Sequence, residues 1–303
     1  MIWLGRTRGH ATDWVTQLWV RATGREMALS DAPWLDGPVG DTRRIGGECF
    51  RELASSERLR LEEDAASVRG IVPDLACLTG PTLDIAALSP GVRRFYEQTS
   101  AYELDAWAEW CGAFRTFGRL LAVLFSRRLQ QLNIPLSALD TSRGMTNAVW
   151  HLREPDSGRL RYAAWVRHMV GSGTTIYAGS YGPCRLPDWP DMCLKVVFPL
   201  PNGNALVIMK PVVHDDGSLS LVSSGNRFGE PGFYFTVRRG GGRLAARRVG
   251  TMRETIRVYE SGPSDVRADH TLTIFGLVFC RLHYRLRDLR AGHGAAVPAQ
   301  SGG

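Results

Sequence analysis

From residue 145 onward the chain alternates apolar and polar positions in short runs. Roughly nine β-type segments follow at the spacing of about 8–12 residues that signals an all-β sandwich or barrel. The segments 160–170 and 174–181 flank Gly171-Ser172-Gly173, and 192–199 and 204–213 flank Pro201-Asn202-Gly203. Asp215-Asp216-Gly217 leads into 218–223, and Gly240-Gly241-Gly242 joins 232–238 to 243–250, with 253–260 following. Glycine supplies the positive φ that tight hairpins need, and Asn and Asp tolerate it. His270 to Arg287 reads as one long closing strand, with Leu272, Ile274, Val278, Leu282, Tyr284 and Leu286 on one face. Its other face passes from Phe275, Leu277 and Phe279 to Arg281, His283, Arg285 and Arg287, so burial on that face ends partway along.

The first half has another texture. Ser89-Pro90 is a helix start, a hydroxyl followed by proline at the first helical position. Residues 114–132 place Phe114, Phe117, Leu120, Leu121, Leu124, Phe125 and Leu129 at helical spacing, with Arg115, Arg119, Arg127 and Arg128 elsewhere on the wheel. Segments 13–21 and 42–63 also read as helical, whereas 31–41 and 71–84 are loop-rich. The expected organisation is a mainly helical region over 1–144, an antiparallel β barrel-like domain over 145–289 and a disordered tail over 290–303. The fold class is α+β, with the helical N-terminal region packed on a C-terminal antiparallel β barrel or curved meander sheet.

Composition narrows the class. The 303 residues are 44% hydrophobic, enough for one large core or two smaller ones. No basic–apolar–small succession opens the chain, and the longest uncharged apolar run, 271–280, is too short to cross a bilayer, so a cytoplasmic protein is expected. Cysteines 49, 77, 111, 184, 193 and 280 lack CxxC spacing, which points to free thiols rather than to a metal site or a disulfide framework. The net charge of +7 is densest at Arg238, Arg239, Arg243, Arg247, Arg248, Arg253 and Arg257, a stripe able to meet phosphate or an anionic membrane surface. No helix-turn-helix, zinc-finger or RNP-like pattern accompanies it, so no specific nucleic-acid partner is expected.

Candidate chemistry rests on strand residues whose orientation decides their use. His168 and His270 would become general bases beside a carboxylate, and Tyr177 and Tyr234 would serve as acids or donors. Of 37 basic residues only Lys195 and Lys210 are lysines, each flanked by apolar residues, and a buried lysine is a nucleophile candidate. His214-Asp215-Asp216 reads as turn chemistry. Asp140 to Gly144 sits at the junction of the halves. The tract 223–235 combines a flexible loop, Arg227 and the aromatic Phe233 and Phe235; with Tyr181 and Lys210 these are the candidate ligand contacts. No Walker loop, dinucleotide fingerprint or nucleophile elbow is present, so no cofactor is implied.

The helix at 114–132, Asn133-Ile134-Pro135-Leu136, the Trp-containing strand 162–168 and the closing segment 269–284 together resemble an uncharacterised bacterial domain found fused to short-chain dehydrogenases or to membrane segments. The resemblance covers residues 90–288 and implies the helix-plus-β architecture; it carries over no catalytic residue.

The functional expectation is binding of a hydrophobic or amphipathic small molecule in a barrel-like cavity. Two alternatives stand beside it. One is an isomerase- or cyclase-type enzyme using acid/base groups among His168, His270, Tyr177, Tyr234 and Lys195. The other is a peripheral membrane or interaction protein using the arginine stripe and the 114–132 helix.

Overall fold

The structure, a computed structural model, describes residues 11–40, 45–112, 114, 116, 145–169, 175–262 and 265–290. It is mostly antiparallel β, with three helices: α1 (Ala11–Thr23), α2 (Glu48–Ser56) and α3 (Pro90–Glu97). The N-terminal part also supplies strands β1 (Arg25–Ala28), β2 (Arg60–Glu62) and β3 (Tyr102–Trp110). Then follow β4 (Met145–Arg153), β5 (Leu160–Met169), β6 (Thr175–Cys184), β7 (Cys193–Leu200), β8 (Gly203–Val213), β9 (Leu219–Val222), β10 (Gly232–Arg238), β11 (Arg243–Val249), β12 (Met252–Gly262), β13 (Asp265–Ile274) and β14 (Leu277–Asp288).

All fourteen strands join one sheet, which runs β1-β11-β10-β8-β7-β6-β5-β4-β3-β14-β13-β12-β9, with β2 on β4. Strand β8 is a fork. Its residues 203–208 pair with β10, its residues 210–213 with β9, and β7 lies along its other edge. Short β9 is bonded to β12 as well. The regular closed barrel expected from the sequence is not what this pairing describes: the branch β10-β11-β1 leaves at the fork, and among the described residues β3 and β4 are joined only at Leu104↔Met145.

Two sequence expectations are corrected by local geometry. The helix expected over 42–63 shrinks to α2 because Arg58 takes φ +55°, and the Leu59 and Arg58 N–H groups turn back to the carbonyls of Ala54 and Ser55. That is a Schellman stop, and it throws the chain into β2. The single strand expected over 270–287 is a hairpin, β13 and β14, turned by Phe275 and Gly276 at φ +49° and +79°. Two consecutive positive φ values mark the primed turn that matches strand twist. Residues 102–110 form a strand although nothing in their pattern announced one. Pro90 opens α3 as expected, but the Ser89 hydroxyl makes no cap bond. The helix expected at 114–132, the junction Asp140 to Gly144 and the 171–173 tip lie outside the described residues, Phe114 and Thr116 apart.

The main core lies on one face of the sheet. Residues 71–101, including α3, bring Val72, Leu75, Leu88, Val92, Phe95 and Tyr96 against Leu104, Val149, Val196, Val207, Leu219, Val258, Val266 and Leu286. Ion pairs and turns tie this cap down: Arg94 reaches Asp288, and the Ser89 N–H donates to Gly217 O. On the opposite face of the β6–β11 region, Trp34 and Leu35 pack with Leu186, Leu206, Ile208, Tyr234 and Leu244.

Candidate functional site

Beyond the α3 cap, the alternation that puts Ala163 and Trp165 on the main core face of β5 puts Arg167 there too. An arginine is thereby carried into the interior, where it is 7% exposed. Its guanidinium lies over two rings, 4.4 Å from the Trp165 centroid and 4.3 Å from that of Tyr177, with Tyr284 at 5.7 Å. It bonds the Tyr284 hydroxyl, but its Nε–H has no partner, and among the described residues no carboxylate lies within ion-pair distance. A buried cation satisfied mainly by aromatic faces is costly to maintain.

Neighbouring strands complete the cluster. Tyr177 and Tyr181, four residues apart on β6, share a face, and their hydroxyl oxygens are 2.5 Å apart. Tyr177 lies across Gly179, where a Cβ would meet its Oη at 3.0 Å. Phe198 stands edge-on at 5.2 Å. Trp165 is held in place because its indole N–H donates to Asn147 Oδ1, while the Asn147 amide donates to the carbonyls of Thr99 and Tyr102. From β12 and β13, Glu254 and His270 approach each other at 2.7 Å, Nε2 to Oε1. Nε2 is nevertheless without a hydrogen bond, because the carboxylate lies off the N–H direction. The His270 ring stacks on Tyr284 at 6.4 Å.

Burial pushes the Tyr177 phenol well above the ordinary tyrosine range; Tyr181 adds to the rise and Arg167 opposes it. Tyr181 and Tyr284 are raised by burial in the same way, against the pull of Arg167. All three are therefore neutral donors at physiological pH. One hydroxyl proton is used between Tyr177 and Tyr181, which leaves the other free to donate outward. Tyr177, Tyr181 and Tyr284 are half-buried, so their side chains keep some accessible surface. Half-buried Phe233, Phe235 and Ile256 pack against the same core. Arginine, phenols and apolar walls are the chemistry that holds a carboxylate or phosphate head with an apolar tail.

The structure thus brings together Tyr177, Tyr181 and His270, with Phe233 and Phe235 on the same side of the sheet. Other candidates lie elsewhere. Lys195 donates to the carbonyls of Trp34 at 3.1 Å and Asp36 at 2.6 Å, and burial pulls its ammonium below the usual lysine range; it clamps the 33–36 turn. Lys210 stands over the Trp189 ring. The Tyr234 hydroxyl donates to Glu230 O and accepts from Gly229 N–H. His168 is lowered by burial and by Arg51, away from the cluster. Arg227 is exposed in a turn closed by Glu230. His214 meets Ser220, and Asp216 is taken up by Ser218 and Arg257. Much of the arginine stripe is matched by carboxylates: Arg238 by Asp36, Arg239 and Arg243 by Glu26, Arg257 by Asp216.

Sequence reasoning missed Arg167, Glu254 and Tyr284 as site residues. The available signal was parity, since Arg167 shares its strand face with Trp165 and Glu254 shares its face with Ile256 and Val258. A separate concavity of about 560 Å³, lined by Glu62, Arg69, Glu97, His151 and Arg153, holds groups that satisfy one another. There Arg153 pairs with Glu62, and His151 bonds Gly70 O.

No family model matches the chain, and no solved structure matches it. It is similar to an uncharacterised membrane protein of Bacillus subtilis, YndJ, at 27% identity over 249 residues, which is 82% of this chain and 42% of the relative. The chain thus spans less than half the length of the curated relative it matches. Among the described residues no helix is long and apolar enough to cross a membrane. The cytoplasmic expectation, which rested on the lack of an apolar span, is overturned by this likeness to a membrane protein.

Proposed function

We propose that the chain binds an amphipathic small molecule, its anionic head at Arg167 and its apolar part along Trp165, Phe198, Phe233 and Phe235. The observation that carries this reading is Arg167, buried, with an unbonded Nε–H and, among the described residues, no carboxylate paired to it. Glu254 tempers the local positive charge but lies against His270. The double pairing of β9, to β8 and to β12, supports an enclosed site, since it links two distant parts of the strand order. Isothermal titration with dodecanoate tests the reading. Wild-type protein binds, and Arg167→Met weakens binding at least about tenfold, the loss expected for one charge-assisted hydrogen bond. Equal affinity in the variant, or no binding by the wild type, overturns it.

The His270–Glu254 pair, with the Tyr284 ring stacked on the imidazole, favours a second reading, acid/base catalysis on the bound molecule. A ligand recovered chemically altered by wild type and unaltered by His270→Asn supports it. Recovery unaltered from both removes it.

A further inference from the structure

Helix α1 is turned inside out. Its polar Asp13 and Gln17 are buried beside Val20, while Val15, Leu18, Trp19 and Ala22 lie on the solvent side. These four recur at i, i+3, i+4 and i+7, so they form one continuous stripe. Val15 is 68% exposed, Leu18 53% and Trp19 39%, the Trp19 ring resting on one side against Phe235. The roll of the helix is pinned by polar bonds: Gln17 Nε2 donates to Pro201 O at 3.1 Å, and Asn202 Nδ2 donates to Gln17 Oε1 at 3.4 Å. The buried side is completed by Val20 against Val237 and Ala245. Rolling the stripe inward would break the Gln17 bonds and put Asp13 and Gln17 into water, so the apolar exposure is built in.

The surroundings are cationic. Arg21 flanks the stripe on α1 itself. Arg247, exposed on β11, donates Nη1 to Thr23 O at 2.9 Å at the helix C-terminus, and no carboxylate among the described residues pairs with it. It is the member of the arginine stripe that the fold brings to α1 without a counter-charge. An apolar stripe carrying a tryptophan, rimmed by arginines, fits a lipid headgroup–acyl boundary, where indole rings and basic side chains settle.

We propose that α1 is an interfacial helix that seats Val15, Leu18 and Trp19 in an anionic bilayer surface, with Arg21 and Arg247 at lipid phosphates. The likeness to a membrane protein favours this occupant over a second copy of the chain. The proposal meets the ligand reading only at Phe235, on which Trp19 packs edge-on at 5.9 Å, and its test reads Leu18 and Arg247, which that reading does not use.

The full chain is floated with vesicles of equimolar phosphatidylglycerol and phosphatidylcholine, and with phosphatidylcholine alone. The chain floats with the anionic vesicles and does so less as salt rises. Leu18→Asp lowers partitioning at least about tenfold, since an apolar contact is lost and a like charge is set against the lipid. Arg247→Gln lowers it about fivefold, as expected for one cation near the surface. Thermal melting checks that Leu18→Asp is folded; if it melts early, Leu18→Ser carries the same comparison. No flotation, flotation that neither Leu18 variant reduces, or equal flotation with uncharged vesicles overturns the proposal. So does a wild-type dimer, without flotation, that Leu18→Asp or Leu18→Ser dissolves, because the stripe then serves a second copy.

Discussion

Arg167 shows how a single side chain decides what an interior is for. Taking a guanidinium out of water costs several kcal/mol, and the Trp165 and Tyr177 faces return only part of that, up to about 2 kcal/mol each when desolvated. Replacing it with methionine keeps much of the volume and removes the desolvation cost. Arg167→Met is therefore expected to melt at or above the wild-type temperature while it loses the dodecanoate affinity; a fall of several degrees would mean that the arginine is structural. His151 poses the opposite case. Burial, with Arg153 and Arg69 adding to it, holds this imidazole below the usual histidine range, and its ring is fixed between Gly70 O and Arg153. The unfolded chain therefore takes up a proton near pH 6.5, where the folded one does not. Stability contributed by neutral His151 is fully present above that pH and is lost as pH falls below it. Melting scanned from pH 8 toward 5 should show this loss on the acid side, reduced in His151→Gln; an unchanged acid slope in the variant removes His151 as its cause.

At the scale of elements, turns settle what periodicity leaves open. The β13–β14 hairpin is made at Phe275, a 76% exposed aromatic held at φ +49°. An L side chain in that region costs about 1–2 kcal/mol, and asparagine pays least among non-glycine residues. Phe275→Asn is thus expected to stabilise the protein by roughly 0.5–1 kcal/mol in urea unfolding, with no change in slope. A loss of stability would show that Phe275 makes a contact worth more than its strain. The pattern reads as one strand because Phe275 and Leu277 continue the apolar alternation through a turn that has one glycine and no Asn or Pro. In the same way Arg58 ends α2 without glycine, so the sequence carries no stop signal at the point where the helix gives way to β2. By contrast the runs at 160–170, 192–199, 204–213 and 232–238 become β5, β7, β8 and β10 almost residue for residue, because each is bounded by Gly, Pro, Asn or Asp.

For the molecule as a whole, the fork at β8 is the organising event. The four-residue β9 bridges β8 and β12 and so connects two parts of the sheet that are far apart in strand order. A strand bonded on both edges opens only when its neighbours open. Hydrogen exchange is expected to show the β9 amides protected as strongly as those of β8 and β12; fast exchange in β9 alone would mean that the bridge is a loose flap. The same organisation sets the Arg167 cluster, since Arg167 and Tyr177 come from the β5–β6 side and Glu254, His270 and Tyr284 from the β12–β14 side.

Alternation with period two, punctuated by turn residues, determined by itself that residues 145–289 are antiparallel β, where most of those strands lie, and which residues share a face within each; it did not find β1, β2 and β3 in the region it read as mainly helical. It put Tyr177 and Tyr181 side by side, because four residues along one strand is a local relation. Only the tertiary structure decided that Arg167 meets Tyr284, that Glu254 meets His270, that Lys195 clamps a turn and that α1 shows its apolar side to solvent. Those outcomes depend on which strands become neighbours and on which face the α3 cap covers. Such contacts join residues up to well over a hundred positions apart, and no local periodicity encodes them.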